Sequence, residues 1–479
     1  MSALVWLRSD LRSVWHSPFS YATEHHSEVS AVFFVTHKQW QHYGLATIKL
    51  DLLVRRLLEL KNELQARGIG LNLVSVPTFA DIPETLATLC REHDITKLYF
   101  NAEYELDERN RDKAVKVRLA EEGVESGVFH DTCACRPDKI LNQSAEPYKV
   151  FTPYFKVWLE QLKSTLMPVP GIKKVSQSQI FKQSLSTDED LISGLLTQES
   201  DDWPAAQEAI LQRLSGYLEE DVAEYNELRD IPSQPGTSKL SPYFSMGSLS
   251  PVQVANAMLN RFGDKLFEPG GGAYTWLKEL AWRDFYRYVM YHFPHVCRHQ
   301  CFSTKYDSFA WQSDKILFKA WCEGQTGYPI VDAAMRCLNQ TGWMHNRLRM
   351  VVASFLAKHL RLPWRWGEDY FMNKLIDGDF ASNNGGWQWS ASTGTDAAPY
   401  FRIFNPASQG KRYDEEGEFL LKWVPELSAV PKKYLHEPQK WSEAASLNYP
   451  VPVVEHKQAV SETKAQFANF LRSSTESQK

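Results

Sequence analysis

The sequence predicts an α/β protein, in which an N-terminal doubly wound parallel sheet precedes a larger all-α domain. Three observations predict it. Residues 3–130 alternate short apolar runs with helix-periodic segments, residues 131–204 are mixed and rich in Pro and polar residues, and the periodic segments from about 205 onward are all helical. A chain of 479 residues exceeds one ordinary domain. The expected division is therefore 1–130, a connector 131–204, and 205–479.

The strand candidates are ALVWL near the start, SAVFFV (30–35), LNLVSV (71–76) and KLYFNA (97–102). They are short and continuously apolar, as strands covered on both faces must be. Between them, 47–68, 81–93 and 107–123 carry helical spacing, with Gly68 and Gly123 placed to end helices. No G-x-G-x-x-G follows a strand, which excludes that dinucleotide fingerprint. Ligands of doubly wound sheets gather beyond the carboxyl ends of the strands, which singles out the loop NAEYELDER (101–109). Residues 175–203, rich in Ser, Thr and Asp, are expected as an exposed loop. In the helical part, Ser250 followed by Pro251 is an N-cap with proline at the first helical position. The tail from Ser461 is expected as one short helix with a frayed end.

Composition narrows the function classes. A net charge of −5 argues against a protein that coats nucleic acid by charge alone, though not against a local basic patch. Seven cysteines without disulfide spacing fit a reducing compartment. Neither an apolar run of membrane-spanning length nor a signal-peptide pattern is present, so a cytoplasmic protein is expected. Of the sixteen Trp, nine fall between 276 and 389, which suits either a large core or a π-system ligand.

The motifs are concentrated in the second half. DGDFASNNGGWQW (377–389) interleaves acids, amides, glycines and indoles. Gly and Asn lower helix propensity, so this stretch is expected as the wall of a polar pocket rather than a core helix. Upstream, TGWMHNRLRM (341–350) reads as one helix; downstream, TGTDAAPYFRIFNP (393–406) reads as a loop. TSKLSPYF (237–244) offers hydroxyls, a Lys and backbone amides that suit either a phosphate cradle or a plain helix cap. WLKELAWRDFYRY (276–288) sets Glu279, Arg283 and Arg287 on one helix face, which suits either a salt-bridged stripe or a partly buried acid. HFPHVCRHQC (292–301) has His and Cys at zinc-like spacing, but no metal is expected there.

Together TGWMHNRLRM, DGDFASNNGGWQW and TGTDAAPYFRIFNP resemble the signature of the photolyase/cryptochrome flavoproteins, with details similar to class I bacterial cyclobutane pyrimidine dimer photolyases. The resemblance runs over nearly the whole chain and is strongest from about 221 to 425. It implies an antenna-binding domain over 1–130, an interdomain linker over 131–204 and an FAD-binding catalytic domain over 205–479. It further implies light-driven repair of pyrimidine dimers in UV-damaged DNA, by a monomer that uses FADH⁻ and the antenna 5,10-methenyltetrahydrofolate. The alternative is a cryptochrome-like photoreceptor without repair.

Residue by residue, the resemblance assigns FAD contacts to Tyr225, Thr237, Ser238, Lys239, Leu240, Ser241, Trp276, Glu279, Arg283, Asn346, Asp377, Gly378, Asp379 and Asn383. Glu279, Trp282, Asn346 and Met350 are implied at the lesion, and Asn383 at the flavin. Trp387, Trp364 and Trp311 match the electron relay. DNA contacts are implied for Arg229, Trp282, Arg347, Arg349, Trp389 and Arg402, with Lys411 and Arg412 adding to a basic rim. Asp107, Glu108 and Arg298 match the antenna positions, where the family pattern would read Asn-Glu and Lys. Ser13–His16 also depart from the family's His-Asp-Asn element. Asn383, Asn346, Met350 and the short tail favour repair over signalling.

Overall fold

A computed structural model describes residues 2–176, 178–185 and 198–476. Part of the loop expected over 175–203 therefore lies outside the described residues. The packing divides the chain into two compact units. The first comprises Met1–Asn226, Ser238–Pro294 and Ile376–Ala381; the second comprises Glu227–Thr237, His295–Leu375 and Ser382–Lys479.

In the first unit, β1 (Ser2–Leu7), β2 (Glu28–Val35), β3 (Gly70–Ser75), β4 (Ile95–Asn101) and β5 (Glu125–Phe129) form one parallel sheet in the order β3-β2-β1-β4-β5. All six residues of β1 are buried, because helices cover both faces of a parallel sheet. Trp6, Phe34 and Phe100 anchor the core beneath it. Strand order reverses at β1, so the crevice past the ends of β1 and β4 is the topological switch point. The connection expected there as a loop over 101–109 is shorter in the structure: Asn101 ends β4, and the helix Leu106–Glu121 begins after only four residues.

Four strands were legible as apolar runs. The fifth, ESGVF, was not, since Ser126 and Gly127 dilute its pattern and it lies at the sheet edge. Gly68 and Gly123 both have positive φ just past a helix. The divergent segment Ser13–His16 is largely buried: His16 lies 3.0 Å from Asp10, and Arg12 beside it donates to the carbonyl of Gly247. The stretch expected as a connector contains the helix Phe151–Thr165, whose Phe151, Tyr154 and Trp158 are buried.

The second unit is helical. Pro329–Thr341, Asn346–Lys358 and Trp364–Met372 pack around Trp321, Phe355 and Trp364. Two sequence expectations are corrected here. TGWMHNRLRM is not one helix: Gly342 adopts φ 67 and ends the first, and the His345 side chain accepts from the Arg347 amide to start the next. DGDFASNNGGWQW does contain a buried helix, Phe380–Ala391. Asn384, Trp387 and Gln388 on it are each 2% exposed, and tertiary packing outweighs the poor propensity of Asn and Gly. The terminal helix His456–Glu476 is longer than the short helix expected. Ser250 caps its helix as predicted, accepting from the Val252 amide at 3.2 Å. Among the described residues, no helix is long and apolar enough to cross a membrane.

Candidate functional site

The first unit holds most of the cofactor positions inferred from the sequence. Lys239 has φ 51 and Leu240 follows at φ −92, ψ −2, the left-handed then right-handed succession by which consecutive backbone amides form an anion-binding nest. Ser241 then starts the short helix Ser241–Ser245. Tyr225 and Trp276 are buried, and Trp276 packs against Tyr217 with ring centres 5.1 Å apart.

The helix Gly272–His292 is not a salt-bridged stripe. Arg283 donates to the carbonyls of Thr132 (2.8 Å) and Phe244 (3.3 Å), while Arg287 is buried and pairs with Asp379 at 2.5 Å. Glu279 and Trp282 are half-buried on the same helix, and one face of Trp282 stacks on Phe151 at 3.6 Å.

The segment Asp377–Asp379 is fixed from two sides. Arg287 holds the Asp379 carboxylate, and the Lys49 ammonium donates to the Gly378 carbonyl. Burial lowers the pKa of Lys49, against the opposing pull of Asp379 and Asp377. Burial also raises the pKa of Glu105, opposed by Arg287 and reinforced by Asp379 and Glu103. The Nη1 of Arg287 is buried without a hydrogen-bond partner among the described residues. Around Asp377–Asp379 the two cationic side chains and the orphaned Arg287 nitrogen suit an anionic group, and the Lys239–Leu240 turn, taken by itself, suits a phosphate.

The second unit carries the remaining positions. Asn346 is exposed and Met350 half-buried one turn later, so both line one face of their helix. Arg347 makes a bidentate pair with Asp230 (2.7 and 3.2 Å) and lies over the Tyr413 ring at 4.6 Å. Arg349 donates to the Met344 carbonyl, Arg229 sits 3.9 Å from Asp230, and Arg402 is exposed. Thr237 and Trp389 are half-buried. Lys411 is engaged by Glu437 at 2.6 Å, and Arg412 lies near the Tyr413 ring.

Asn383 donates to the Glu368 carbonyl at 2.9 Å, and Asn384 donates to its carboxylate at 2.7 Å. Trp364 and Trp387 are buried, and Trp311 is half-buried. Each of these three indoles has a buried N–H without a hydrogen-bond partner among the described residues. Gly367, one turn after Trp364, lies flat against Trp387: a Cβ there would meet the indole at 2.0 Å.

At the switch point a cavity of about 200 Å³ opens between β1 and the loop after β4, lined by Trp6, Arg8, Tyr43, Lys49, Glu108 and Arg111 among others. Burial, with Glu105 and Glu103 adding repulsion, pushes Glu108 up to about 8. Asp107 accepts from the Tyr43 hydroxyl at 3.0 Å. Arg298, the third antenna position, belongs to the second unit.

Lys49 and Glu105 escaped the sequence reading. Lys49 sits in an ordinary amphipathic helix, and nothing local ties it to a partner 329 positions away. Arg287 was visible, but only as one member of a charged stripe.

The chain matches two family models: "DNA photolyase" over residues 3–173 and "FAD binding domain of DNA photolyase" over residues 276–469. It is 44% identical to a deoxyribodipyrimidine photo-lyase of Salmonella typhimurium over 95% of this chain and 96% of that protein. Its identity to the Escherichia coli protein of the same name is 42%, over 97% and 98% of the two chains. Among solved structures, a bacterial class III photolyase from Agrobacterium tumefaciens superposes with TM-score 0.88 at 32% identity, covering 98% of each chain. An archaeal photolyase from Sulfolobus tokodaii with two FAD molecules gives TM-score 0.82 at 29% identity, covering 98% of this chain and 100% of that one. A cryptochrome from Synechocystis gives TM-score 0.85 at 26% identity, over 97% and 98% of the two chains.

Proposed function

Since the chain belongs to the DNA photolyase family, we propose that it is a light-driven lyase that splits cyclobutane pyrimidine dimers in UV-damaged DNA with a reduced FAD cofactor. The observation that carries this reading is the Lys239–Leu240 amide nest, in a chain 44% identical to a photo-lyase over nearly its full length. The functional division is 1–130 for an antenna, 131–204 as linker and 205–479 for the flavin and the lesion.

When bound, reduced FAD would supply the light-driven one-electron chemistry that opens the dimer. The chain's own residues bind, orient and exclude water. Amides and hydroxyls of Thr237–Ser241 hold the diphosphate by directed hydrogen bonds. Tyr225, Trp276, Glu279, Arg283, Asn346, Asp377, Gly378, Asp379 and Asn383 would hold the rest of the cofactor, with the Asn383 carboxamide oriented by its hydrogen bond to the Glu368 carbonyl. Trp387, Trp364 and Trp311 would relay electrons toward a bound flavin. Their unpartnered indole N–H groups leave each ring's charge unpinned by a fixed acceptor.

The lesion leaves the duplex stack, as base-flipping enzymes including photolyases require. Trp282 stacks on it with an already pre-stacked indole, and Asn346 and Met350 line its edge. Glu279 hydrogen-bonds the dimer, where negative charge develops during cleavage. Arg229, Arg347, Arg349, Arg402 and Trp389 contact the flanking DNA, and the cations neutralise phosphates. The enzyme acts as a cytoplasmic monomer without an obligate protein partner.

The antenna is 5,10-methenyltetrahydrofolate, contacted by Asp107, Glu108 and Arg298. A second reading is favoured by the 200 Å³ cavity at the switch point, whose aromatic walls and cationic side chains suit a flavin-type or deazaflavin ring. The Sulfolobus tokodaii structure, whose second FAD implies a light-harvesting cofactor, supports that reading. Extraction of the purified pigment and mass spectrometry separate the two.

Glu279→Ala tests the catalytic assignment. Repair per absorbed photon falls while lesion binding survives; an unchanged yield removes Glu279 from the reaction.

A further inference from the structure

The loop HFPHVCRHQC holds five His and Cys side chains at zinc-like spacing. The fold gives one of them new neighbours. His299 lies beside Glu368 and Asp369 of the helix Trp364–Met372, about seventy positions along the chain, with one ligand atom from each residue lying within 4.8 Å of the other two. His299 and Asp369 are exposed, whereas the Glu368 side chain is 1% exposed.

A buried carboxylate needs a partner for each oxygen. Glu368 Oε1 has one, the Asn384 amide at 2.7 Å. Oε2 has no hydrogen-bond partner and faces His299 Nδ1 across 3.8 Å, too far for a hydrogen bond. The nearby Arg365 is engaged elsewhere, donating to the His299 carbonyl and pairing with Asp307 at 3.0 Å, so its charge does not neutralise Oε2. The arrangement is a buried carboxylate oxygen without a hydrogen bond, with an imidazole at ion-pair distance and a second carboxylate at its open side.

We propose that His299, Glu368 and Asp369 form a binding site for a single divalent transition-metal ion of the zinc class. One imidazole and two carboxylates make a borderline donor set that suits Zn²⁺ and disfavours Mg²⁺ and Ca²⁺, which prefer all-oxygen shells. Three protein ligands leave the fourth position to water. At metal–ligand distances of about 2.1 Å, tetrahedral ligands lie roughly 3.4 Å apart, so closing the site draws the exposed His299 and Asp369 inward by about 1 Å. Glu368 stays where Asn384 holds it.

The flavin-loaded protein, stripped with chelator, is dialysed against ZnCl₂ and the bound metal is counted. One Zn²⁺ per chain is expected, with affinity at least tenfold weaker in His299→Ala and in Asp369→Asn. Both side chains are exposed, and unchanged melting temperatures without zinc verify that the variants fold. His295→Ala, in the same loop but outside the cluster, keeps wild-type affinity. Binding undiminished in both cluster variants, or absent from the wild type, overturns the proposal.

Discussion

Lys49 donates its ammonium to the backbone carbonyl of Gly378, joining the helix Thr47–Gln65 to a loop 329 positions further along the chain. Asp377 and Asp379 flank that carbonyl, and both act on the buried Lys49 charge. Lys49→Met keeps the length of the side chain and removes its charge. Breaking a buried charge arrangement on one side costs about 3 kcal/mol. The expected result is a lower urea midpoint and flavin lost on gel filtration; a variant that retains stability and colour would show that Lys49 does not fix the Asp377–Asp379 segment.

Gly367 is the only residue type that fits against the Trp387 ring, because a methyl group there would lie 2.0 Å from it. Gly367→Ala forces the indole aside at an overpacking cost of roughly 1–3 kcal/mol. Light-driven reduction of the flavin by an external reductant is expected to slow in this variant, since Trp387 is the inner member of the proposed relay. A rate equal to wild type would remove Trp387 from that route.

The sheet was legible because parallel strands covered on both faces are written as apolar runs, and the edge strand β5 was missed because it breaks that rule. The pocket-forming motifs were legible by resemblance, but their backbone was not. Phe380–Ala391 is helical because Asn384 and Trp387 find buried partners in Glu368 and Phe371, which no local propensity encodes. Lys49 and the His299–Glu368–Asp369 cluster were invisible for a related reason. Each depends on residues far apart in sequence, and a single Lys or His carries no signal of its remote partner.

Glu108 gives a pH signature. Its folded-state pKa of about 8 lies above the ordinary 4.5, so the folded protein holds a proton that the unfolded chain releases. Stability is therefore greatest at low pH with respect to this group and falls as pH rises from about 4.5 through about 8. Glu108→Gln should flatten that slope in urea titrations across the window; an unaltered slope would show that Glu108 titrates normally.

Arg347 is paired with Asp230 in the unbound protein. If it also meets a DNA phosphate, Arg347→Ala weakens lesion binding and reduces the slope of log K against log salt by about 1. Asp230→Asn releases the guanidinium and should tighten binding. Measured by fluorescence anisotropy at several salt concentrations, equal affinities for wild type and Asp230→Asn would place Arg347 outside the DNA contact.

Light-driven repair can be assayed in a single experiment. Purified, reduced protein is mixed with an oligonucleotide carrying one thymine dimer, and dimer loss is followed under blue light and in darkness. Dimer loss is expected in the light and none in the dark. A protein that holds photoreducible flavin yet leaves the dimer intact under illumination would contradict it, and would identify a photoreceptor built on the same fold.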